Sequence, residues 1–99
     1  MNLDFVEAVF TRPKMYTLVG SPLEAVSFLN GYYAGLSKMQ SESSKILIWP
    51  AFRLWLADKL DVSVGEELQS LYHKHEDDFL EIICELYQEF KLSRERHYK

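Results

Sequence analysis

The sequence predicts an all-α fold, a single compact domain of four or five short helices spanning residues 1–99, on three observations. Apolar residues recur at three- and four-residue steps along most of the chain. Two Ser-x-x-Glu capping boxes mark helix starts, and no Asn-Gly or Asp-Gly hairpin signal has strands beside it. With 99 residues that are 47% hydrophobic and include only four Gly and three Pro, the chain has enough apolar side chains to offset its ordering entropy. A chain of this length buries roughly two-thirds of its unfolded surface.

The elements follow in order. Leu3, Val6, Val9 and Phe10 share one face of a first helix, with Asp4 and Glu7 near its start, where the helix dipole favours acids. Arg12-Pro13 closes it, because the residue before proline is pushed out of the helical region. Met15 to Gly20 is a connector too short for a sheet. Ser21-Pro22-Leu23-Glu24 is the sharpest local signal: Ser21 as N-cap, proline at the first helical position and Glu24 at the third. Ala25, Val26, Phe28, Leu29, Tyr32, Tyr33 and Leu36 continue that helix, and Gly31 and Gly35 sit one turn apart, where they can admit a neighbouring helix. Lys38 to Lys45 is polar and reads as a loop.

Ile46 to Trp49 fits either a strand or a helix entry. Pro50 suits a first turn, and Phe52, Trp55, Leu56 and Leu60 follow at helical spacing, which favours the helix. Ser63-Val64-Gly65-Glu66 is the second capping box, opening a helix through Leu68, Leu71 and Tyr72. The stretch around His75 breaks the rhythm, and Phe79, Ile82, Ile83, Leu86, Tyr87 and Phe90 restart it in a last helix to about Leu92.

Charge is unevenly spread. Residues 1–62 balance, whereas 63–90 hold eight acids against Lys74 alone, and the tail from Lys91 is basic. Asp77, Asp78, Glu81, Glu85 and Glu89 recur at helical steps and form one stripe. Such a stripe repels nucleic acid and attracts basic protein. It also has a plain explanation, since acids at the start of a helix and bases at its end suit the macrodipole. Tyr72 and Tyr87 flank the stripe, and tyrosines ringed by carboxylates fit a surface that captures a basic partner. The partner-binding residues expected are therefore Tyr72, Asp77, Asp78, Glu81, Glu85, Tyr87 and Glu89.

Reaction chemistry finds little support. His73 and His75 are two apart and diverge on a helix, so a metal site with Glu76 and Asp77 is not expected, and the thiolate spacing of structural zinc is missing. Cys84, the sole cysteine, lies among apolar residues and reads as core. The serines sit at caps or in the 41–44 loop. No phosphate loop or dinucleotide fingerprint occurs, so no cofactor is expected. The amino terminus has no basic and apolar leader and the longest apolar run is too short to span a bilayer, which points to the cytoplasm.

Thr11-Arg12-Pro13-Lys14-Met15-Tyr16-Thr17-Leu18-Val19-Gly20-Ser21, then Ala25 to Tyr32 with its Phe28-Leu29-Asn30-Gly31-Tyr32, resembles a family of small bacterial proteins with an Arg-Pro-x-Met-Tyr start and a Phe-Leu-x-Gly-Tyr helix. Phe52 to Leu56 and the helix from Phe79 to Phe90 look like that family too. With its size, acidity and helicity, the chain is similar to immunity proteins of bacterial toxin–immunity systems, including contact-dependent inhibition. The resemblance implies a cytoplasmic inhibitor, not an enzyme, that binds a cognate toxin domain, often a nuclease. Two alternatives stand beside it: a generic helical interaction or scaffold protein, homodimeric through Gly31 and Gly35, and a small enzyme or ligand-binding domain around Arg12, Tyr16 and the Gly31 helix, which requires an apolar pocket there.

Overall fold

A computed structural model describes residues 4–39 and 48–97, and every regular element among them is helical. These are α1 (Phe5–Thr11), a 3₁₀ turn (Pro13–Met15), α2 (Pro22–Met39), α3 (Ile48–Leu60), α4 (Glu67–Lys74) and α5 (Phe79–His97). Of the expected loop, Lys38 and Met39 belong to α2; residues 40–45 lie outside the described residues, as do Ile46 and Leu47. Ile48 and Trp49 open α3, so the helical entry holds where it is described. None of these helices is long and apolar enough to cross a membrane. The chain divides into two compact units, Met1–Ala51 and Phe52–Lys99, and the division falls inside α3.

In the first unit, Asp4 Oδ1 accepts the Val6 N–H at 2.8 Å and caps α1. Arg12 ends the helix ahead of Pro13, as its sequence position requires. The connector that follows is stitched by side chains: Thr17 Oγ1 donates to Pro13 O at 2.8 Å and accepts from Gly20 N–H at 3.0 Å. Gly20 has φ +81°, and a Cβ there would lie 2.7 Å from Lys14 Cγ, so the turn requires glycine. The capping box forms reciprocally, with Glu24 N–H on Ser21 Oγ and Ser21 N–H on Glu24 Oε1, each at 3.2 Å. The same Oε1 takes the Val19 N–H at 3.0 Å.

Val6, Val9, Phe10, Ala25, Leu29, Tyr33 and Trp49 are buried. The indole N–H of Trp49 is satisfied by Asn30 Oδ1 at 2.8 Å, as a buried indole requires. Phe5 meets Tyr32 at 4.6 Å and Tyr16 at 5.6 Å, gathering α1, the connector and α2 around one aromatic cluster. Among the described residues no helix packs on Gly31 or Gly35: a Cβ at either would meet nothing within 4 Å.

In the second unit, Phe52, Leu56, Ala57, Leu71, Phe79, Ile83, Tyr87 and Phe90 form the apolar interior. Asp61 leaves α3 at φ 56°, a left-handed position that aspartate tolerates. The second capping box does not form. Gly65 adopts φ +104°, residues 63–66 close a turn through Glu66 N–H on Ser63 O, and α4 begins at Glu67 with no side-chain cap. His75 ends α4 where the break was expected. The last helix runs past Leu92 to His97, since no Gly or Pro interrupts Ser93-Arg94-Glu95-Arg96.

Candidate functional site

The solvent face of α5 and the turn before it carry most of the residues expected to bind a partner. Phe79, Ile83, Tyr87 and Phe90 define the buried stripe of α5, and Glu81 and Glu85 project from the opposite side at 3.6 residues per turn. Both are exposed, as are Asp77 and Asp78 in the preceding turn. Asp78 O accepts the Ile82 N–H, so Asp78 sits at the helix start, where its charge meets the positive end of the dipole. His75 Nδ1 lies 3.6 Å from Asp78 Oδ1, an ion pair when the imidazole is protonated. Among the described residues no salt bridge holds Asp77, Glu81 or Glu85.

One expected contact needs correction. Tyr87 is 0% exposed and cannot touch a partner. Its ring meets Phe52 edge-on at 5.2 Å and Phe90 at 6.1 Å, with Lys91 Nζ 5.4 Å from its centroid. The spacing to Ile83 and Phe90 carried that signal, because a residue four beyond one core position and three before another lies on the same face. Glu89 is exposed but paired with Lys59, so its charge is already partly answered. Tyr72 remains available at 41% exposure, with its ring edge-on to Phe79 at 5.5 Å.

The acidic run also hides a structural member. Glu67 is fully buried; its Oε2 accepts from Arg53 Nε and its Oε1 from Gly65 N–H, each at 2.7 Å. Burial alone would raise this carboxyl, but the Gly65 amide and the Arg53 guanidinium outweigh it and hold the group below the usual carboxylate value. Nothing in the local pattern separates Glu67 from Glu66; the partner lies fourteen residues upstream, on α3.

Beside the acidic face, α3 and α5 border an open cleft of about 490 Å³ lined by Trp55, Asp58, Lys59, Glu89, Leu92 and Ser93. In the first unit, a shallower cleft of about 340 Å³ is lined by Thr11, Arg12, Pro13, Lys14, Met15 and Gly20. Tyr16 and Gly31 do not line it: Tyr16 packs on Phe5 and Phe28. Cys84 is half-buried rather than enclosed as its sequence setting implied. Among the described residues, no three His, Cys, Asp or Glu side chains gather as metal ligands.

No family model matches the chain, and no curated protein or solved structure matches it.

Proposed function

We propose that this chain is an inhibitor of the immunity type, acting in the cytoplasm, which binds and neutralises a basic toxin domain through the acidic face of α5. The observation that supports the reading is the exposure of Asp77, Asp78, Glu81 and Glu85 on the side of α5 away from its buried stripe. A nuclease is the class of toxin that fits best, because a surface that holds phosphates is basic and an acidic helix face can occupy it. Such association is fast and weakens with salt. Tyr72 supplies the half-exposed aromatic contact at one end of the face. No reaction is assigned to the chain itself.

The test is to co-express the chain with the product of its neighbouring gene and measure affinity at low and moderate salt. Glu81→Lys with Glu85→Lys is expected to keep the helical circular-dichroism spectrum and weaken the complex about tenfold or more. Unchanged affinity in the double variant would remove the acidic face from the mechanism.

A second reading, a self-associating scaffold, has one observation in its favour. Met15, Leu18, Val19 and Leu23 are 69%, 92%, 65% and 75% exposed, a concentration of apolar side chains around one hydrogen-bonded turn. A concentration-dependent dimer in sedimentation, abolished by Leu18→Glu, is the result that favours it.

A further inference from the structure

We propose that the cleft formed by Trp55, Asp58, Lys59, Glu89, Leu92 and Ser93 is an anchor for an arginine side chain of a protein partner. The proposal rests on the reading of the α5 side as a protein-binding face and names the residue type that face takes.

The cleft already holds a cation of its own. Lys59 Nζ lies 5.4 Å from the centroid of the Trp55 ring and pairs with Glu89. A π face and a carboxylate converging on one ammonium are the two elements of a cation site. The internal occupant is weakly held: the Lys59 and Glu89 side chains are 42% and 51% exposed, and ion pairs of that kind contribute about 0–1 kcal/mol. The aromatic floor, by contrast, is fixed, because Trp55 stacks on Phe52 at 6.0 Å and meets Phe90 at 5.6 Å.

A guanidinium fits this arrangement better than Lys59 does. It is planar, stacks on an aromatic face, is less strongly hydrated than an ammonium and can bond a carboxylate through two parallel N–H groups. Glu89 offers the carboxylate, and Asp58 stands exposed on the same cleft to take a remaining donor. Leu92, 56% exposed, gives the methylene stem an apolar wall. The cleft is open to solvent, with room for the side chain once Lys59 swings out.

The experiment titrates the full chain with N-acetyl-Gly-Arg-Gly-amide and follows backbone and indole N–H signals by NMR, the Trp55 indole being assigned through Trp55→Phe. Saturable shifts at the Trp55 indole, Glu89 and Leu92 are expected. Lys59→Ala should tighten binding about twofold to fivefold by removing the competitor, and Glu89→Gln should weaken it by a similar factor. The lysine peptide should bind more weakly, and the uncharged citrulline peptide should not bind. Absent shifts, shifts confined to residues 77–85, equal binding of the lysine peptide, or no gain from Lys59→Ala would each overturn the anchor. The two proposals fail separately. A basic partner lost with Glu81→Lys and Glu85→Lys but indifferent to Glu89→Gln refutes the anchor alone; arginine binding in the cleft without any basic toxin partner refutes the immunity reading alone.

Discussion

Arg53 and Glu67 form the one ion pair whose acid is wholly buried among the described residues: Nε meets Oε2 at 2.7 Å while no part of Glu67 is exposed. The pair joins α3 to the start of α4, and the second carboxylate oxygen fixes the Gly65 turn by accepting its N–H. Where the Ser63 capping box was expected to open the helix, a carboxylate positioned by tertiary contact organises the turn instead.

Glu67→Ala is expected to destabilise the chain by about 3 kcal/mol, because it removes the buried carboxylate that accepts from Arg53 Nε and the Gly65 amide. Glu67→Gln keeps an acceptor and should cost less. The native carboxyl is held below its ordinary value of 4.5, so its contribution is present above that pH and is lost as pH falls through the lower folded value. Urea unfolding across the acid range should show a steeper loss of stability for the wild type than for Glu67→Gln. Parallel curves for the two would count against this account.

Tyr33 bears on the opposite end of the pH scale. Burial, with Asp4 and Tyr32 adding to it, pushes its phenol up from 10.0 to about 12. The folded state therefore holds this proton more tightly than the unfolded state, and the associated stability declines as pH rises from 10.0 towards about 12. Absorbance titration should show a phenolate signal appearing near the upper value in the wild type and missing in Tyr33→Phe, which should also be less sensitive to alkali.

The two tyrosines that the sequence placed beside the acidic stripe should behave differently. Tyr87→Ala empties a core position and is expected to cost about 3–5 kcal/mol, whereas Tyr72→Ala, at a half-exposed site, should cost about 1 kcal/mol or less. Thermal denaturation of both variants checks the ordering. Loss of partner binding with a melting temperature lowered by no more than about 4–8 °C is expected of Tyr72→Ala only.

In the connector, Gly20→Ala forces a side chain into a positive-φ turn and against Lys14, with an expected cost of about 1–2 kcal/mol. Ser21→Ala removes the cap of α2 and should cost about 1 kcal/mol. Hydrogen exchange should show the first turn of α2 opening more readily in both variants.

The helical class, the close of α1 at Arg12-Pro13, the Ser21–Glu24 box and the break at His75 are all legible in the order of residues. Each depends on groups within a few residues of one another, so local sterics and hydrogen bonding settle them wherever they are placed. The stripe of exposed acids on α5 was legible for the same reason, as a consequence of helical spacing. Packing between distant segments sets which acids stand unburied and which are paired. Glu67 and Glu66 are adjacent carboxylates in a local pattern, yet one is buried against Arg53 and the other faces solvent. Glu89 pairs at the surface with Lys59 of α3, and Tyr87 packs against Phe52, because electrostatic pairing and desolvation act through space between segments that the sequence separates.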